Sequence, residues 1–125
     1  MYLLDTHVLI WSLFDTDKLS DKVEQITTEN DNVFVSIVSL WEIAIKQTIG
    51  KLDIDCSILE IADQCRELDI DIIGIHPQHL GAIKSLPQYH NDPFDRLIIA
   101  QATVDGYTLI TKDSIIPRYN IKTIW

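Results

Sequence analysis

Five acids in this chain fall at the end of a strand or in the first turn of the helix that follows: Asp5, Glu42, Asp92, Asp95 and Asp113. They belong to different junctions, except that Asp92 and Asp95 share one, so they are distant in sequence yet free to converge in space. Like charges a few ångströms apart repel unless a cation neutralises them. Carboxylates with few His or Cys partners are hard oxygen donors, which suit Mg²⁺ or Mn²⁺ rather than zinc. Such a site polarises a phosphoryl oxygen, positions a water and lowers its pKa, and with two ions it clamps both attacking and leaving oxygens. Phosphodiester hydrolysis is the chemistry this points to.

Each acid also has a local reading. Asp5 can cap a helix starting at Thr6, and Ser39-x-x-Glu42 matches a reciprocal capping box. Asp92 before Pro93 is a good N-cap, with Asp95 at the third helical position, where a carboxylate complements the helix dipole. Asp113 can be a turn residue.

The polar neighbours divide in the same way. Thr6, Ser36 and Thr111 can offer hydroxyls to water or phosphate, but bonding to backbone amides is the favoured reading for all three. Lys46 lies one turn after Glu42, the spacing of a helix ion pair; a phosphate contact is the sharper alternative. Arg96 reaches either a phosphodiester substrate or another helix. Trp11, Trp41 and Trp125 can stack bases, although core or subunit-interface packing is favoured. His76 and His79 lack an obvious third ligand for zinc. His7 and His90 adjoin acidic motifs and can titrate near neutrality, but neither is assigned as a general base.

The elements that must position these side chains follow from periodicity and punctuation. Residues 2–5 read as a strand, followed by a helix to about Phe14; Ser20 caps a second helix to about Glu29. "NVFVS" (32–36) is a strand, and Ser39 opens a helix through Ile49 that Gly50 stops. Ser57 with Glu60 caps a helix to about Leu68, and "IDIIGI" (70–75) is a strand. His76-Pro77 starts a helix ending before Pro87, and Pro93 begins another through Val104. "YTLIT" (107–111) and "NIKTIW" (120–125) are the last strands. Alternating strands and helices predict a small doubly wound α/β domain over residues 1–125, with helices on both faces of a parallel sheet. Ligands of such sheets bind at the carboxyl ends of the strands, where the chain order reverses.

Composition narrows the classes. An apolar fraction of 46% and a charged fraction of 23% suit one globular core in 125 residues. No apolar run approaches the roughly 20 residues that cross a bilayer, and the start "MYLLDTHVLIW" lacks a basic leader, so a cytoplasmic protein is expected. Cys56 and Cys65 read as buried or half-buried thiols. The net charge of −9 argues against a broad basic nucleic-acid footprint, leaving a local site for any such role.

"LLDTHVLIW", "SIVSLWEIAIKQTIGKL", "HNDPFDRLIIAQA" and "LITKD" together resemble the PIN domain, in particular the VapC-like ribonuclease toxins of bacterial type II toxin-antitoxin pairs. The resemblance covers nearly the whole chain. It implies a PIN-like fold and a Mg²⁺- or Mn²⁺-dependent endoribonuclease acting on single-stranded regions of RNA. By motif, Asp5, Glu42 and Asp95 resemble the first, second and third metal-binding acids, and Asp113 a fourth that holds metal or orients water. Asp92 is either an outer-sphere assistant or only a cap. A small antitoxin partner, with a segment inserted over the site, and a homodimer or hetero-oligomer are also implied. Two other readings are weighed: a Mg²⁺-binding phosphoacceptor receiver domain, and a catalytically silent PIN-like binding module. The receiver reading wants paired acids after the first strand, where Asp5 stands alone.

Overall fold

Successive strand residues face opposite sides, and in this chain both sides are apolar, which dictates a sheet buried between two layers of helices. The computed structural model describes residues 1–29 and 31–125. Among these, β1 (Tyr2–Leu4), β2 (Val33–Ser36), β3 (Ile70–Ile73), β4 (Thr108–Ile110) and β5 (Thr123–Ile124) form one sheet in the order β3-β2-β1-β4-β5. All of its pairings are parallel.

Leu4, Val33, Val35, Ile70 and Ile110 face one layer, closed by α1 (Thr6–Phe14), α2 (Asp21–Glu29) and α4 (Ile58–Glu67). Leu3, Phe34, Ile73 and Leu109 face the other, closed by α5 (Pro77–Ile83) and α6 (Pro93–Asp105). Helix α3 (Ile37–Thr48) straddles the two, giving Leu40 and Ile43 to the first layer and Val38 to the second. The expected doubly wound α/β architecture is therefore present.

The order reverses between β1 and β4, which is where a crevice opens beyond the carboxyl ends of the strands. A receiver-type sheet runs 2-1-3-4-5 instead, so the strand order excludes that alternative. Asp53 and Asp55, which a receiver would need near its site, lie exposed in the segment between α3 and α4.

Helix α6 shows how the core holds a site in place. From Arg96 to Ala102 every residue is buried, so the helix is enclosed on all sides. Asp92 caps its start, accepting from Asp95 N at 3.0 Å, and Pro93 occupies the first position. Gly106 ends it at φ 74°, a left-handed turn that costs glycine little.

Several boundaries differ from the sequence reading. Helix α3 starts at Ile37, with Ser36 as its cap, accepting from Val38 N at 3.0 Å. Ser39 lies inside the helix, its hydroxyl hydrogen-bonded to that of Thr6 at 3.0 Å. The β-branched pair Ile37-Val38 looks like more strand, but the chain turns directly from β2 into the helix. Helix α5 stops at Ile83 because Arg96 reaches back to the carbonyls of Ile83, Leu86 and Pro87, fixing a turn where helix was expected. The last two strands shorten to 108–110 and 123–124, and β3 to 70–73. Cys56 and Cys65 are free thiols, half-buried and buried. No helix among the described residues is long and apolar enough to cross a membrane.

Candidate metal centre

At the switch point β1 runs straight into α1, and Asp5 is the residue between them. Its backbone N–H still belongs to the sheet, donating to Ile110 O at 3.1 Å. Its side chain caps α1, with Oδ1 accepting from Val8 N at 2.9 Å, while Oδ2 accepts from Thr111 Oγ1 at 2.5 Å. Thr111 follows β4 and also accepts from Asp113 N at 3.0 Å, so one hydroxyl links two of the acids.

Asp113 is fixed by its own turn. Its Oδ1 accepts from Ile115 N at 2.7 Å and Ile116 N at 3.0 Å, leaving Oδ2 to point at His90 Nε2, 3.1 Å away. The same nitrogen lies 3.2 Å from Asp95 Oδ2. His90, Asp95 and Asp113 each present a ligand atom within 4.8 Å of the others. A cleft of about 330 Å³ lined by Asp5, His7, Trp11, Lys112 and Asp113 opens beside them.

Glu42 is 3% exposed. Its two oxygens are held separately, by Thr6 Oγ1 at 2.7 Å and by Lys46 Nζ at 2.6 Å. The Glu42 hydrogen bond pushes the Lys46 pKa up, and the charges of Asp92 and Asp95 push in the same direction. Lys46 is thus the helix ion-pair partner of Glu42, half-exposed at the rim of the acid cluster.

The acids feel one another. Burial pushes Asp95 from the ordinary 3.8 up to about 7, and the charges of Asp92, Glu42 and Asp5 add to it, while His90 pulls the other way. Burial also raises Asp5, against the hydrogen bonds from Thr111 and Val8, and Asp113 pushes it further up. Asp113 goes the other way: burial opposes its charge, but the amides of Ile116 and Ile115 and the His90 hydrogen bond outweigh that and lower it. Two acids are therefore costly to ionise by themselves and one is held ionised. A divalent cation offsets that cost, and the oxygen donor set suits it.

The candidate residues separate accordingly. Asp5, Glu42, Asp95 and Asp113 interact at the crevice, with Thr6, Thr111 and Lys46 bonded to them. Asp92 serves as the α6 cap, near enough for its charge to act on Asp95. Ser36 caps α3, and Arg96 is 8% exposed, turned inward to carbonyls and the Tyr119 hydroxyl. His79 lies elsewhere, bonded to His76 N at 2.9 Å and to Asp105 at 2.8 Å. Trp41 is exposed and packs edge-on against Phe94, while Trp11 packs against Trp125 and lines the cleft. His90, noted in the sequence only as adjoining an acidic motif and assigned no role, lies between Asp95 and Asp113; its signal was its place two residues before the α6 cap.

The PIN domain family model matches residues 2–122. Ribonuclease VapC22 of Mycobacterium tuberculosis is 31% identical over 112 residues, covering 89% of this chain and 85% of that protein. Among solved structures, VapBC2 from Rickettsia felis bound to a DNA fragment from their promoter superposes with a TM-score of 0.71 at 16% identity, covering 98% of this chain and 96% of the other. A toxin-antitoxin complex from Klebsiella pneumoniae gives 0.67 at 18% identity, covering 100% and 97%. At those identities the likeness to the solved structures is one of fold. Matched along nearly all of its length, and carrying its acids at the switch point of a parallel sheet, the chain belongs to the PIN-domain family and is VapC-like.

Proposed function

We propose that this chain, as one PIN domain over residues 1–125, is a metal-dependent endoribonuclease and the toxin of a type II toxin-antitoxin pair. The observation that carries this is that Asp95 and Asp113 present oxygens within 4.8 Å of each other, with Asp5 and Glu42 near enough for their charges to act on Asp95, in a family member 31% identical to a ribonuclease.

Asp5, Glu42, Asp95 and Asp113 are the acids assigned to hold Mg²⁺ or Mn²⁺. When bound, such an ion supplies Lewis acidity to a phosphoryl oxygen and to water. The chain's own contribution is positioning. Thr111 fixes Asp5 relative to Asp113, Thr6 and Lys46 fix Glu42, and the rigid start of α6 fixes Asp95. Lys46, half-exposed beside Glu42, can meet a phosphate in addition to its pairing with that acid. The substrate class is single-stranded RNA, and the cytoplasm is the assigned compartment.

The partner is a small antitoxin whose inserted segment carries an Arg or Lys toward the carboxylates, since a guanidinium or ammonium satisfies the same oxygens as a metal. Homodimerisation, or a hetero-oligomer with that antitoxin, belongs to the same proposal.

Purified protein incubated with a structured RNA should cut it in Mg²⁺ or Mn²⁺ and stop when the metal is chelated. An undiminished rate in chelator would overturn the metal-dependent reading. Binding of the RNA without cleavage under every metal condition would favour the silent-module alternative.

A further inference from the structure

The imidazole of His90 stands between two acids of the cluster, and the bond on its far nitrogen decides what it does there. Asp92 N–H donates to His90 Nδ1 at 3.2 Å. A ring nitrogen that accepts keeps its lone pair, so the proton of the neutral ring resides on Nε2. That N–H faces Asp113 Oδ2 at 3.1 Å and Asp95 Oδ2 at 3.2 Å.

We propose that His90 is a positioning residue: its Nε2–H bridges Asp95 and Asp113 and sets their spacing, and the tautomer that makes the bridge keeps the ring from ligating the metal. The inference rests on the metal-site reading above. Its geometry alone would also allow a mixed site, because His90, Asp95 and Asp113 lie at ligand spacing. Ligation through Nε2, however, moves the proton to Nδ1, where it confronts the Asp92 N–H, donor against donor. The same turn that caps α6 thereby selects oxygen donors for the cation.

The backbone of His90 is held from behind, independently of the acids its ring touches. His90 N donates to Tyr119 Oη at 2.9 Å, and Tyr119 Oη donates to Pro87 O at 2.9 Å. The Arg96 guanidinium joins both, at 2.9 Å to Pro87 O and 3.3 Å to Tyr119 Oη. Tyr119 is 4% and Arg96 8% exposed, so this anchor is part of the core. His90 therefore places the carboxylates, and the core places His90.

Long-range ¹H–¹⁵N correlation on the uniformly labelled full chain at pH 8 reads the tautomer directly, with His90 assigned by its loss in His90→Gln. The expected result is a protonated Nε2 both without metal and in saturating Mg²⁺. A protonated Nδ1 in the metal-free protein overturns the bridge, and a switch to it on adding Mg²⁺ overturns the exclusion from ligation. Calorimetry adds a second readout: His90→Ala should bind Mg²⁺ roughly 10- to 100-fold more weakly, with His90→Gln, which keeps an N–H donor, recovering part of the loss. Unchanged affinity in a folded His90→Ala overturns the positioning role. Wild-type protein that binds no Mg²⁺ overturns the metal reading itself, while the metal-free tautomer still decides the bridge.

Discussion

Thr111 Oγ1 donates to Asp5 Oδ2 at 2.5 Å, so the carboxyl ends of β4 and β1 are joined through side chains as well as through the sheet. The bond favours the charged form of a carboxylate that burial disfavours. Thr111→Val should raise the Asp5 pKa further and weaken Mg²⁺ binding by about tenfold, at the cost of one charge-assisted hydrogen bond. Thr111→Ser should restore most of it. Titration calorimetry of the two variants checks this, and equal affinities in both would remove Thr111 from the site.

Asp95 predicts an opposition between activity and stability. Its charge is disfavoured by burial and by three neighbouring acids. Asp95→Asn should abolish cleavage and, in metal-free protein at pH 8, stabilise the fold by on the order of 2 kcal/mol. Denaturant unfolding with and without Mg²⁺ measures both parts, since the variant should also lose stabilisation by the metal. A fully active Asp95→Asn protein would sink the assignment.

The same group sets a pH dependence with a definite sign. Asp95 has a folded pKa of about 7 against an ordinary 3.8, so between those values the native state holds more protons than the unfolded one. Metal-free stability should therefore fall as pH rises through that window, and level off above it. Asp113, lowered in the fold, works oppositely: its contribution is present above the ordinary value and lost as the solution is acidified below it. Mg²⁺ binding must displace the Asp95 proton, so affinity should rise by up to about tenfold per pH unit toward pH 7 and then flatten. Calorimetry in buffers of different ionisation enthalpy counts the released proton.

Two polar residues of the quoted motifs should act through the fold rather than by contact with the acids. Ser36→Ala removes the α3 cap and should cost about 1 kcal/mol while leaving the cleavage rate intact. Arg96→Met leaves the carbonyls of Ile83, Leu86 and Pro87 without their donor, and should cost about 2–4 kcal/mol. Thermal melts rank the two, and a larger loss for Ser36→Ala would contradict the packing described here.

The parallel sheet and the capped helices were legible because they depend on local pattern: β-branched runs, Ser57 with Glu60, Asp92 with Pro93. Asp5, Glu42, Asp95 and Asp113 were legible as a set because acids at strand ends have only one crevice to meet in. Ser36 and Ser39 were harder to tell apart, since both offer a hydroxyl near a helix start and only the turn out of β2 chooses between them. Arg96 and His90 depend on what the 84–92 segment folds against. That segment packs on Tyr119, far away in sequence, and no local period announces the contact.

The bond between Asp5 and Thr111 spans 106 positions of a 125-residue chain. The first acid is thus translated long before its partner. In chain order β4 follows β2 and β3, which lie on the other side of β1. A nascent chain that stalls before residue 111 has neither Thr111 nor Asp113 and so carries an incomplete site. For an enzyme proposed to cut RNA, the order of synthesis acts as a safeguard: the acids come together only after residue 113 has been made.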